Sequence, residues 1–230
     1  MAARSRSKIS SSFLVILLIA AAIVWLRDAK NDGPSSPPND RPTTAETSPS
    51  SSRKAPLAGP YEVYENCRLI DHGSNDGDSF LLQLPDGRRA IFRLYYVDTP
   101  ESKFRRYQNG ETNSDRIHQQ ARDLGNLTPE RAVEIGQQAK NFTLDLLKNA
   151  PFTLYTSWDS PYNDQRYHAF LQCRFNNRTI YLHELLIEKG LARIKTKPAP
   201  LPDGTSVDTQ RKHLRALEAK ARNNRAGAWR

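Results

Sequence analysis

The chain has 230 residues, with 34 Lys and Arg against 25 Asp and Glu, for a formal charge of +9 and a pI near 9.7. Two cysteines, Cys67 and Cys173, are too few and too far apart for a structural zinc site, which takes about four ligands at short spacing. The five histidines show no HExxH-like spacing and read as surface or satisfied residues. A basic chain of this kind attracts polyanions such as nucleic acid or an anionic lipid surface, although charge alone does not separate that from a solubility charge.

At the N-terminus Arg4, Arg6 and Lys8 precede an apolar run from Phe13 to Leu26, which Ile9 and the intervening serines extend to a length in the lower range for a spanning helix. Ala20-Ala21-Ala22 lies inside the run, so no small-x-small cleavage site comes after it. The early cations and Trp25 near the far end favour an uncleaved signal anchor over residues 1–32, with a cleaved signal as the alternative. Either exports the rest of the chain, so the folded part is expected outside the cytoplasm, at a membrane or secreted. Residues 33–56 are rich in Pro, Ser, Thr and Asn and predict a disordered linker. In an oxidising compartment Cys67 and Cys173 could pair; a buried reduced pair fits the spacing equally.

The folded domain is expected over residues 57–230. Tyr61 to Ile70 and Phe80 to Leu84 read as strands, and Asp86-Gly87 is a hairpin turn signal. Ala90 to Val97 is a third strand, dense in aromatic and branched residues. The polar stretch 103–126, with Arg105, Arg106, Arg116 and Arg122, predicts a flexible flap. Thr128 offers an N-cap and Pro129 a first-turn residue for a helix with Ile135, Ala139, Phe142 and Leu146 at i, i+4, i+7 and i+11. Phe152 to Thr156 and Ala169 to Phe175 are two further strands. A short helix spans His183 to Lys189, and a last one spans Asp208 to Asn223, basic on one side with Leu214, Leu217 and Ala221 as its packed stripe. The fold class is mainly β with helices (α+β). Five strands with a helix between the third and fourth match the order of an OB-type Greek-key barrel, here with about three helices.

The densest chemical signal is Phe92-Arg93-Leu94-Tyr95-Tyr96-Val97-Asp98-Thr99-Pro100-Glu101, where a cation, two carboxylates and a proline crowd a strand end. Pro100 biases Thr99 to an extended backbone and ends the ladder. A second acidic cluster, Asp76-Gly77-Asp78-Ser79, precedes Phe80. It is no EF-hand, because counting from Asp71 the sixth position is Asp76 rather than Gly and the twelfth is Leu82 rather than Glu. Taken singly, each cluster also fits a capped strand or an Asp-Gly turn on the surface.

Together these two segments, then Asp164-Gln165-Arg166, Leu185 to Ala192, His213-Leu214-Arg215 and Trp229, resemble the staphylococcal nuclease (thermonuclease) family in order and spacing. The resemblance runs from about Cys67 onward and implies a Ca²⁺-dependent hydrolase that cuts phosphodiester bonds of DNA, with RNA as a second substrate class. It implies Asp78, Asp98 and the Thr99 carbonyl as ligands of Ca²⁺, a cation that takes oxygen donors. It implies Arg93 and Arg166 on the scissile phosphate and Glu101 as general base. Where the family flanks its second arginine with glycine, this chain has Gln165 and Tyr167. Where the family places tyrosines near the nucleotide, it has Lys195-Thr196-Lys197-Pro198, so base stacking is expected to give way to phosphate attraction by Lys195 and Lys197. A monomer is expected, and no protein partner is inferable. The rival readings are a non-catalytic, membrane-tethered OB-fold module that binds nucleic acid, and a membrane-anchored interaction domain. Neither requires Asp78, Arg93, Asp98, Glu101 and Arg166 together.

Overall fold

The computed structural model describes residues 59–230; the expected anchor and linker lie outside the described residues. In chain order the elements are strands β1 (Glu62–Glu65), β2 (Arg68–Leu69), β3 (Ser79–Gln83), β4 (Arg89–Leu94) and β5 (Val97–Asp98), then helices α1 (Ser114–Asp123) and α2 (Pro129–Asn149). Next come β6 (Phe152–Thr156), β7 (Arg166–Phe175), β8 (Arg178–Tyr181), α3 (Leu182–Glu188), β9 (Arg193–Ile194) and α4 (Val207–Asn223). Among the described residues no helix is long and apolar enough to cross a membrane.

The main sheet runs β1-β6-β7-β4-β3-β2, with β8 added against β7. The expected first strand is broken at Asn66, which adopts φ +59. Its two pieces pair at opposite ends of the sheet, β1 with β6 and β2 with β3. The sheet therefore curls into a half-barrel. Phe80, Leu82, Phe92, Leu94, Leu154 and Phe170 are fully buried inside it, as expected of alternate residues on strands with one face turned to a core.

The third expected strand also divides. Tyr96 sits at φ +70, a region a bulky side chain enters only when its surroundings force it. They do so here. Its N–H donates to the Lys197 carbonyl at 3.0 Å and its hydroxyl to the Ala199 carbonyl at 2.5 Å. Its ring stacks on His183 with centroids 5.5 Å apart. The kink releases Val97 and Asp98 from the main sheet to pair with β9. This turns Asp98 away from the ladder.

Helix α2 begins as expected, with the Thr128 hydroxyl accepting from the Arg131 N–H at 3.2 Å. Ile135 and Ala139 are buried, and Phe142 and Leu146 pack against the core. Helix α4 buries Leu214 and Ala221 and leaves Arg211, Lys212 and Arg215 in solvent. Residues 103–126 are not the expected flexible flap. They carry helix α1, a fourth helix, whose Ile117 and Ala121 pack against Ala132 and Val133 of α2. Cys67 and Cys173 are both buried free thiols.

Candidate active site

The β3–β4 register sets Arg93 opposite Ser79, which places Asp78 beside it. The Tyr96 kink then delivers Asp98, Thr99 and Glu101 to the same end of the strands. Arg93 Nη2 donates to Asp98 Oδ1 at 2.7 Å and reaches Asp78 Oδ2 at 3.4 Å. The Thr99 N–H donates to Asp78 Oδ2 at 3.1 Å. Asp78, Arg93, Asp98 and Thr99 are all buried. Five of the residues expected from sequence are thus gathered, Glu101 among them.

Two glycines allow this closeness. A Cβ on Gly136 in α2 would lie 2.4 Å from the Glu101 carbonyl oxygen and 2.5 Å from that of Pro100. A Cβ on Gly77 would lie 2.9 Å from Ala139 and from the Thr99 side chain. The Thr143 hydroxyl donates to the Gly77 carbonyl at 2.9 Å. Helix α2 is therefore the platform on which both acidic loops rest. The interior glycine costs about 1 kcal/mol in helix propensity, which the contact requires.

Sequence reasoning did not assign a role here to three further residues, two of them on α1. Arg116 Nη2 donates to Asp98 Oδ1 at 2.9 Å, and its Nε lies 3.0 Å from Glu101 Oε1. Gln120 Nε2 donates to Asp98 Oδ2 at 3.0 Å and to the Thr99 carbonyl at 3.1 Å, while its Oε1 accepts the Glu101 N–H at 3.0 Å. From β9, Arg193 Nε donates to Asp98 Oδ2 at 2.8 Å and Nη1 pairs with Asp123. The signal for α1 was present: Ile117, Ala121 and Leu124 at i, i+4 and i+7, with Asp115 in the first turn and Arg122 in the last.

Asp98 is the hub. Burial works to raise its carboxyl, but Arg116, Arg193, Gln120 and Arg93 hold it below the ordinary carboxylate range. Asp78 goes the other way, raised by burial and by Asp98 against the pull of Arg93. Burial and Asp78 together push Asp76 up to about 6. For Arg93, burial lowers the guanidinium pKa, but Asp78 and Asp98 outweigh it and keep the value above the usual one. Its Nε is buried and donates to no acceptor among the described residues.

Arg166 begins β7, whose register puts it opposite Ile91, two residues short of Arg93. Its Nε and Nη2 are held by Asp164 at 2.8 and 2.5 Å. Gln165 before it adopts φ +59, the conformation that glycine enters without strain. Of the two lysines expected at the substrate, Lys195 is exposed, and Lys197 Nζ pairs with Asp159 at 2.6 Å.

The oxygens gathered here are of the kind a divalent cation takes. Asp98 Oδ2 and the Thr99 carbonyl converge on one Gln120 nitrogen, and Asp78 and Asp98 on one Arg93 nitrogen. These are carboxylate and carbonyl oxygens, the set that Ca²⁺ takes. In this arrangement the chain's own N–H groups satisfy them. Among the described residues no three His, Cys, Asp or Glu side chains are disposed as a ready metal site.

A family model described as staphylococcal nuclease homologue matches residues 91–230, more than half of the chain. The chain belongs to the staphylococcal nuclease family. Arg93, Asp98, Thr99, Glu101 and Arg166 lie within the match; Asp78 precedes it and joins them through the β3–β4 pairing. No curated protein matches the chain.

Proposed function

We propose that the chain is a Ca²⁺-dependent nuclease that hydrolyses phosphodiester bonds of DNA, and of RNA as a second substrate class. Membership of the nuclease family supports a hydrolase of nucleic acid. The observation that carries the reading is the convergence of the Asp78, Asp98 and Thr99 oxygens beside a buried arginine whose Nε lacks an acceptor. A module that only binds nucleic acid needs basic and aromatic surface rather than buried carboxylates. The bent stretch Glu62–Leu69, taken as one strand, makes five strands with β3, β4, β6 and β7, which supports an OB-type Greek-key barrel.

In this reading Asp78, Asp98 and the Thr99 carbonyl would hold Ca²⁺, which would offset the negative charge of the phosphate oxygens. Arg93 donates its free N–H to a non-bridging phosphate oxygen. The Glu101 carboxylate takes a proton from the water that attacks phosphorus in line. The opposite P–O bond breaks, and its oxygen leaves with a proton from solvent. Arg166 reaches phosphate only by loosening its hold on Asp164, and Lys195 adds long-range attraction. Residues 1–32 tether a monomeric domain outside the cytoplasm, through linker 33–56, at a membrane, or release it if the segment is cleaved. Retention of the full chain in membranes washed at alkaline pH tests the tether; complete release of an uncleaved chain would contradict it.

The activity is tested by incubating the full chain with single-stranded DNA in Ca²⁺ and in chelator. Cleavage in Ca²⁺ alone is expected. Tight binding with no cleavage in either condition would replace this reading with the non-catalytic module.

A further inference from the structure

Helix α1 is joined to the candidate active site through polar side chains, two of them buried. Asn113, at its N-cap, donates to Glu101 Oε2 at 3.3 Å and to the Lys103 carbonyl at 3.0 Å. Gln120 accepts the Glu101 N–H and donates to Asp98 and Thr99. Between them along the helix stands Arg116, which spans Asp98 and Glu101 at 2.9 and 3.0 Å. Residues three and four apart share a helix face, so one polar face of α1 addresses the acidic loop while Ile117 and Ala121 hold the other against α2.

The arginines around Asp98 differ in access. The side chains of Arg93 and Arg193 are 7% and 8% exposed, whereas that of Arg116 is 45% exposed. Arg193 is also committed to Asp123. Arg116 is thus the solvent-facing guanidinium of the cluster. Its Nη1 makes no hydrogen bond within the described residues, and it sits beside the carboxylate proposed as general base. Arg166 is likewise held through two of its nitrogens, but by Asp164 alone, and among the described residues it makes no contact with Asp98 or Glu101.

We propose that Arg116, supplied by helix α1, is the second phosphate-binding arginine of this active centre, acting with Arg93 in the place that sequence reading gave to Arg166. The inference rests on the nuclease reading above. A planar guanidinium anchored along one edge by Asp98 and Glu101 keeps its other edge for two phosphate oxygens. Held there, it neutralises charge that develops on phosphorus during attack.

The test compares the wild-type full chain with Arg116→Gln, Arg116→Lys and Arg166→Gln. Cleavage of a single-stranded DNA oligonucleotide in Ca²⁺ is followed, and binding of the same oligonucleotide in chelator is titrated across salt concentrations. Arg116→Gln is expected to lower kcat by on the order of 10²-fold, the usual effect of removing one such donor. It should also flatten the metal-free salt slope by roughly 0.7, one single-strand phosphate contact. Arg116→Lys should restore the slope but only part of the rate, and Arg166→Gln should cost less than about tenfold, well short of Arg116→Gln. Unchanged melting temperatures for the two Arg116 variants would separate these losses from a structural role.

The proposal is overturned if Arg116→Gln keeps both rate and salt slope, if it cleaves faster than wild type, or if Arg166→Gln loses more than Arg116→Gln. A wild-type chain that cleaves nothing would sink the nuclease reading instead. The binding arm would still decide Arg116, since an unchanged slope counts against it and a flattened one for it.

Discussion

Gly136 in the middle of α2 presses its bare Cα against the Glu101 carbonyl, so closely that a methyl group there would stand 2.4 Å from that oxygen. The obstacle is backbone, which cannot swing aside as a side chain can. Gly136→Ala should therefore displace the Pro100–Glu101 loop despite the better helix propensity of alanine. A net loss of about 1–3 kcal/mol is expected from overpacking, together with loss of cleavage. Chemical denaturation and a cleavage assay on the same variant check this; a more stable, fully active protein would show that the loop has room.

Asp98 holds two buried guanidinium groups, Arg93 and Arg193, and the exposed one of Arg116. Asp98→Asn keeps the shape but removes the charge, leaving Arg93 and Arg193 under-compensated in a buried place. A loss of about 3–5 kcal/mol is expected, as for breaking a buried ion pair from one side. Urea denaturation would read it. A loss below about 1 kcal/mol, the scale of an exposed pair, would mean that water reaches the cluster.

His168 and His183 are both fully buried. Burial, with Arg93 nearby, brings His168 down to about 4. Burial, with His213 nearby, brings His183 down to about 3. Both are therefore neutral in the folded chain, while the unfolded chain protonates them near 6.5. Their contribution is constant above that pH and is lost as pH falls from about 6.5 toward 4 and below. Stability measured by denaturation at stepped pH should decline over that window, and His183→Gln should decline less steeply than wild type. Equal slopes would show that His183 takes up its proton without unfolding.

Gln165 stands at φ +59 directly before Arg166. Gln165→Gly should leave the melting temperature unchanged or raise it, whereas Gln165→Val should lower stability by roughly 1 kcal/mol or more, because a branched side chain is strained there. Thermal melts of the two variants distinguish this from a loop that simply re-forms around either residue, in which case both would melt together.

Much of the frame was legible in sequence because it rests on local rules. Thr128 and Pro129 announce α2, and Phe80 and Leu82 alternate as a strand facing a core must. The ten residues from Phe92 carried most of the site, but only once they were set beside residues 76–79 and the later segments in the order of the family. What escaped depends on distant contacts. The break at Tyr96 is imposed by Lys197, Ala199 and His183, a hundred residues away in the case of the Ala199 carbonyl. Helix α1 was hidden by its polar composition: Arg116 and Gln120 look like solvent residues until Asp98 and Glu101 are set against them. Ile117, Ala121 and Leu124 were the available clue. The place of Arg193 could not be read at all, because only the β5–β9 pairing brings it to Asp98.

Hydrolysis at Asp78, Arg93, Asp98 and Glu101 is tested most directly by the rate at which wild type and Glu101→Gln cleave single-stranded DNA in Ca²⁺. Glu101 is partly exposed, and its amide analogue keeps the size of the side chain and one of its two acceptor oxygens, so the variant should fold and still bind the oligonucleotide. Cleavage by the wild type with a loss of about 10²–10⁴-fold in Glu101→Gln is the predicted result, the range for removing a general base. Equal rates in the two proteins would contradict it and place the chemistry elsewhere on the chain.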